Sequence, residues 1–342
     1  MRKSLVRFIL VLISVLVSLT LAEEILRHYN YPYIHCQNNI ESAPEAVMGV
    51  FDDQTGWNYA SSQSFPINEK VTYYFDDNGI RIKDMNAQID YSKPRIVFIG
   101  GSVAFGHDLS YEETYAYKIG TLFEDKFEIV NLGVQGYGTD QTVVRLEKLI
   151  EDIKPTIILH TFIDDHIKRN INYDRRNFFI DPKKGCLNFD GTKPLFNIKN
   201  NQLVQVRKPI EMDKYDQIRL AVLMINVFDG FRESIILKDN KHIEITKALI
   251  NRIEEIANEY SASVYHIYYS PVKVNPIYAE EFFYSQGIGN VLIYDNFAKG
   301  GNEEYFVDKN DNLHPNDKTT TELANSFYQQ FGREIYLLSG DN

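Results

Sequence analysis

Cysteine is nearly missing from this chain: Cys36 and Cys186 are the only two in 342 residues. Two cysteines build neither a disulfide framework nor a cysteine-based zinc site, which needs more ligands at closer spacing. One bridge from the early segment to the central insertion is compatible with an oxidising compartment, and so is a pair of free buried thiols. Positive charge is also scarce, with 36 Lys and Arg against 47 Asp and Glu and a formal net charge of -11. Such a field repels nucleic acid, and no nucleic-acid partner is expected. The short basic pairs Arg175-Arg176 and Lys183-Lys184 are interrupted by acids and read as solvent-facing. Internal repeats and low-complexity tracts are lacking, and 44% apolar content spread along the chain argues against disorder. The length suits one large α/β core with an appendage, or two modest domains.

Long apolar runs are limited to one. After Met1-Arg2-Lys3-Ser4-Leu5-Val6-Arg7 the chain carries no charge from Phe8 to Ala22 and then turns acidic at Glu23-Glu24. A cationic flank before an apolar run directs a chain to a membrane, with the downstream segment on the translocated side. Residues 1–22 therefore read as a retained signal anchor, or as a signal peptide cleaved after Thr20-Leu21-Ala22. The first alternative places the protein in the cell membrane with its main domain extracytoplasmic. The second makes it secreted or periplasmic.

Residues 23–93 form an extracytoplasmic lead-in, in which Val71–Phe75, the turn signal Asp76-Asp77-Asn78-Gly79 and Ile80–Ile82 predict a hairpin. The main domain spans 94–331. Within it, strands are predicted at Arg95–Ile99, Phe127–Val130 and Thr156–Leu159, with helices at Tyr111–Phe123 and Thr139–Ile153 between them. Strand and helix alternating at this spacing predict an α/β fold: a three-layer α/β/α sandwich around a mostly parallel central sheet. Residues 167–212 lose the rhythm and read as an insertion. Beyond it come an apolar segment near Ile218–Phe228, a helix over Ile243–Tyr260, strands at Ser263–Tyr268 and Val291–Tyr294, and a closing helix over 317–331, leaving 332–342 as a tail.

Four polar elements fall just after predicted strands or in the last loop. Gly100-Gly101-Ser102 removes side-chain bulk where the chain leaves a strand and exposes a hydroxyl. By itself this is a common strand exit. Gly133, Gly136 and Gly138 follow the next strand and permit close backbone approach, with the Gly136 amide available to a developing oxyanion. Asp164-Asp165-His166 follows the third strand and invites a metal reading, although a polar, substrate-facing Asp164 is more economical beside Ser102. Finally, Asp311 stands three residues before His314, close enough to orient an imidazole, and Pro315 keeps that histidine on a loop.

In this order the four elements resemble the SGNH, or GDSL-type, hydrolase superfamily, particularly its secreted or membrane-anchored bacterial members. The resemblance covers roughly residues 94–331. It implies a three-layer α/β/α fold, a catalytic Ser102, Asp311 and His314, and an oxyanion hole from the Ser102 and Gly136 amides with Asp164 at the third donor position. Two positions depart from the pattern: Gly101 stands where Asp is common, and Asp164 replaces Asn. An ionised Asp accepts but does not donate, so Asp164 serves as an oxyanion donor only when protonated. The implied function is that of a serine-dependent esterase or O-acyltransferase on an extracytoplasmic ester, an acetylated glycan among the candidates, with no cofactor and no metal required. The alternative is a catalytically impaired SGNH-like module that binds a glycan or a protein. The expected contacts are the ester or acylated carbohydrate and the membrane; no protein partner is identified.

Overall fold

The computed structural model describes residues 2–29, 31–32, 48–175, 180–181, 185–186, 191–211, 218–271, 274–296, 303–307, 311 and 313–340. Cys36 and the side chain of Cys186 lie outside them, as does any bridge between the two.

In chain order the described strands are β1 (Gly49–Asp52), β2 (Gly56–Tyr59), β3 (Ser64–Pro66), β4 (Thr72–Phe75), β5 (Arg81–Ile82), β6 (Arg95–Ile99), β7 (Glu128–Asn131), β8 (Ile157–Phe162), β9 (Ile180–Asp181), β10 (Gly185–Cys186), β11 (Leu195–Lys199), β12 (Gln202–Arg207), β13 (Ser263–Ser270) and β14 (Val291–Asp295). The described α-helices are α1 (Arg2–His28), α2 (Ser102–Phe105), α3 (Tyr115–Leu122), α4 (Thr139–Ile153), α5 (Asp165–Arg169), α6 (Arg219–Lys238), α7 (Lys241–Glu259), α8 (Pro276–Phe282) and α9 (Asp317–Leu337).

The central sheet has eight strands in the order β14-β13-β8-β6-β7-β5-β4-β3. Its first five strands pair in parallel, while β5, β4 and β3 extend it antiparallel. The sheet is therefore mixed rather than mostly parallel. The reason is that the hairpin expected in the lead-in does not stand apart: Arg81 pairs with Asn131 and adds the hairpin to the edge at β7.

Alternation along β6 explains the layers. Val97 and Ile99 face one side and pack with Val143, Leu146 and Ile150 of α4 and Leu249 and Ile253 of α7. Ile96 and Phe98 face the other, against Tyr115 and Ile119 of α3 and Leu323 and Phe327 of α9. A strand buried on both faces has no polar face to show, which is why its sequence reads as a continuous apolar run.

Local chemistry sets the helix ends. The predicted helix over Tyr111–Phe123 is divided at Thr114, whose extended backbone (φ -68, ψ 146) ends a short 3-10 turn and whose hydroxyl then caps α3 by accepting from the Tyr117 amide. Asn316 caps α9 in the same way, accepting from Thr319 at 3.0 Å, and α9 continues past residue 331 to Leu337, with Ile335 buried.

The strands before β6 also pack against the segments that follow β6 and β7. Trp57, Tyr59, Tyr73 and Phe75 pack with Phe105, Val134 and Tyr137. The Trp57 indole donates to the Gln135 carbonyl at 3.1 Å, and the Gln135 amide donates to the Tyr59 hydroxyl at 2.8 Å. The loop after β7 is thus held by residues far upstream.

Candidate active site

The β6 strand ends at Ile99 and the chain turns through Gly100 and Gly101 so that Ser102 opens the short helix α2. Beneath it, a side chain at Gly133 would collide with the backbone of Ala104 and Phe105. The close approach expected of the glycines after β7 is therefore present at Gly133. Asn131 reinforces the contact by donating to the Ala104 carbonyl at 2.9 Å.

The chain after α2 is clamped by Arg81. Its guanidinium, 2% exposed, donates to the carbonyls of Phe105, Gly106 and Leu109 at 2.6, 2.8 and 2.5 Å and stacks over Tyr73 and Phe105. Burial lowers its pKa from the ordinary arginine value. The three carbonyls and two ring faces replace the water that the charge has lost.

His314 reaches Ser102 from the last loop. Its Nε2 lies 2.8 Å from Ser102 Oγ and its Nδ1 lies 2.6 Å from Asp311 Oδ2. The other oxygen of Asp311 accepts from the backbone amides of Leu313 at 2.8 Å and His314 at 2.9 Å. Because a carboxylate only accepts, the Nδ1 proton points to Asp311 and Nε2 is left as the acceptor facing the hydroxyl. Burial alone would raise the Asp311 pKa, but the His314 ring and the two amides outweigh it and hold the carboxyl far below the usual range. The chain Ser102, His314, Asp311 is mostly enclosed: Ser102 is 5% exposed, and the His314 and Asp311 side chains are 15% and 16% exposed.

The other predicted residues lie in the segments that follow β7 and β8. Gly136 has φ 79, and its carbonyl accepts from Arg175 Nη1. Arg175 is a correction to the solvent-facing reading: it is 5% exposed, and burial, together with neighbouring Arg169, brings its pKa down to about 9. A backbone carbonyl from a distant segment provides for its charge, which the residues beside it in sequence do not reveal. Arg176, Lys183 and Lys184 lie outside the residues whose side chains are described.

Asp164 lies two residues beyond β8, at the N-cap of α5, and accepts a hydrogen bond from the Tyr268 hydroxyl of β13. Burial raises its pKa and Asp165 adds to the rise, while the Tyr268 bond opposes both. Asp165 turns away to Arg169, at 2.7 and 2.6 Å. His166 points inward, 1% exposed, its ring edge-on to Phe162, with neither nitrogen hydrogen-bonded among the described residues. The three neighbours thus diverge. Among the described residues, the cluster with metal-ligand spacing is His107, Asp311 and His314, whose ligand atoms lie within 4.8 Å of one another, and two of these already belong to the Ser102 chain.

The absence of a side chain at Gly101 has a structural counterpart. A Cβ there would lie 3.1 Å from both His166 Nε2 and the Tyr137 carbonyl, and 3.4 Å from Arg169 Nη1. The space that an Asp would need is taken by a histidine and an arginine from α5. Burial, with Arg169 and Arg175 nearby, keeps the His166 pKa well below its ordinary value, so the ring stays neutral.

His107 also stands at this site, although no motif in the sequence marks it. Its ring centroid lies 4.2 Å from that of His314, and Gln135 contacts its Nδ1. The available signal was its position five residues after Ser102, in the loop that Arg81 clamps.

Solved structures share a general likeness. The chain is similar to the psychrotrophic esterase EstA from Pseudoalteromonas sp. inhibited by monoethylphosphonate, with 14% identity, 71% of this chain and 99% of the other covered, and a TM-score of 0.38. It is also similar to TesA, with 11% identity, 70% and 98% coverage, and a TM-score of 0.40. No family model and no curated protein matches the chain.

Proposed function

We propose that the protein is a serine-dependent esterase or O-acyltransferase whose nucleophile is Ser102. The observation that carries the reading is the 2.8 Å contact of Ser102 Oγ with His314 Nε2, continued at 2.6 Å from His314 Nδ1 to Asp311. Such a relay lets the imidazole take the hydroxyl proton while the carboxylate stabilises the resulting cation.

In the proposed reaction Ser102 Oγ attacks the ester carbonyl as its proton passes to His314. The tetrahedral oxygen is met by the Ser102 and Gly136 amides, with Asp164 as a further candidate. Collapse breaks the bond to the alcohol, which leaves with the proton from His314 and an acyl group on Ser102. Water or an acceptor hydroxyl then gives its proton to His314 and attacks the acyl carbon, and as the acyl–oxygen bond breaks His314 returns that proton to Ser102 Oγ. With α1 as a membrane helix, the ester lies on the extracytoplasmic side, and an acetylated glycan is the substrate to test first.

Asp164 supports one competing reading. An ionised carboxylate at an oxyanion position would oppose the charge it faces, which suits a module that binds an ester or glycan without turning it over. Labelling by a fluorophosphonate or sulfonyl fluoride separates the two. The enzymatic reading expects labelling that is lost in Ser102→Ala and strongly slowed in His314→Ala. No labelling by several such probes would leave the binding reading. Release of free acetate and its transfer to an added acceptor, measured together on acetylated polysaccharide, then distinguish hydrolase from transferase.

A further inference from the structure

Helix α6 wears its apolar residues on the outside. Met224, Val227, Phe228, Phe231 and Ile235 are 51%, 61%, 63%, 67% and 44% exposed. Their spacing of i, i+3, i+4, i+7 and i+11 places all five on one stripe of the helix. Between Met224 and Ile235 the charged residues lie off this stripe: Asp229 is 5% exposed and meets Arg207 at 3.2 Å and Arg232 at 3.4 Å, and the exposed Lys238 follows only at the end of the helix. A helix facing water shows the reverse arrangement.

The neighbour of α6 identifies the solvent. Segment Lys3–His28 of α1 is long and apolar enough to cross a membrane, with none of its apolar window buried in the protein. The end of α1 is tied to the start of α6: Glu23 accepts from the Arg219 amide at 2.9 Å and from the Leu220 amide at 2.8 Å, and Arg219 donates to the Pro32 carbonyl at 2.7 Å. Tyr29 and Tyr31, 74% and 56% exposed, stand at the same junction. Exposed tyrosines just beyond an apolar helix are characteristic of the headgroup layer. The first turn of α6 is therefore fixed where α1 leaves the hydrocarbon.

We infer that α6 is an interfacial helix, its Met224–Ile235 stripe lying in the surface of the bilayer that α1 enters. The occupant of the stripe is lipid, not a second copy of the chain. A basic polar face, usual in free amphipathic helices, is unnecessary here because α1 already holds α6 at the membrane and the second contact is intramolecular. Two attachments also restrict the rotation of the domain about α1 that a lone anchor would allow.

The test uses the full chain reconstituted in phosphatidylcholine and phosphatidylglycerol vesicles, with or without lipids brominated near the top of the acyl chains. Single variants Phe231→Trp and Phe228→Trp place a reporter on the stripe. Gln329→Trp, exposed on α9 across the sheet, is the control, and the buried native Trp57 gives a common baseline. At the roughly 5–10 Å depth of an interfacial helix, the added emission of either stripe variant is lost in brominated vesicles while that of Gln329→Trp persists. Stripe variants quenched no more than the control overturn the inference. It is also overturned if stripe emission is insensitive to bromine and energy transfer between labelled copies rises with protein density, because a second copy then covers the face.

Discussion

Replacing Asp311 by Asn tests how the imidazole is set. Asp311 uses both oxygens, Oδ2 on the ring at 2.6 Å and Oδ1 on the Leu313 and His314 amides at 2.8 and 2.9 Å. Asparagine keeps one oxygen and gains an amino group. If the oxygen stays with the two amides, the amino group faces Nδ1, which must then accept. The ring proton moves to Nε2, the atom facing Ser102 at 2.8 Å, and Nε2 no longer takes the hydroxyl proton. The same wrong-tautomer change in a serine protease triad costs about 10⁴-fold in turnover, close to 5.5 kcal/mol of barrier. Because the carboxamide retains its grip on the loop amides, the melting temperature should change little. The assay is hydrolysis of a short acyl nitrophenyl ester at neutral pH, with His314→Ala and Ser102→Ala as references. Asp311→Asn should fall about 10²- to 10⁴-fold in kcat, toward the His314→Ala level. Turnover within a few-fold of the parent, in a folded protein, refutes the orientation argument.

Three other perturbations have defined outcomes. Asp164→Asn keeps an acceptor for Tyr268 and adds a donor without charge; turnover should rise roughly tenfold or more if the residue faces the oxyanion, and unchanged turnover places it elsewhere. Lys193→Met strands the Asp140 carboxylate, since both members of this ion pair are 0% exposed; denaturant unfolding should show a loss of about 3–5 kcal/mol, mostly recovered when Asp140→Leu is added, and a loss below about 1 kcal/mol contradicts the reading. Burial opposes ionisation of Asp52, yet Lys148 and the Thr55 and Gln54 amides bring its pKa down to about 2 from 3.8. Its stabilisation is therefore complete above the unfolded value and lost as pH falls through about 2. Asp52→Asn should cost about 1–2 kcal/mol at pH 7, after allowance for the partly exposed Lys148, and the difference from the parent should close near pH 2. A constant difference across that range refutes the assignment.

The amino-acid order alone determined what is local. Apolar periodicity located β6, β8, α4 and α7, and the three-residue spacing of Asp311 and His314 made them neighbours before any folding was considered. The uncharged run from Phe8 to Ala22 marked a membrane-seeking segment for the same reason. Periodicity reports which side of an element is apolar, however, and not what rests against it. Only tertiary structure brought His314 to Ser102, turned the Thr72–Ile82 hairpin into the antiparallel edge of the sheet, and buried Arg175 against the Gly136 carbonyl. It alone filled the space beside Gly101 with His166 and left the apolar stripe of α6 uncovered. Each of these depends on partners from distant parts of the chain: a carbonyl that satisfies a buried charge, a strand edge that accepts another strand, or a helix end that accepts a carboxylate.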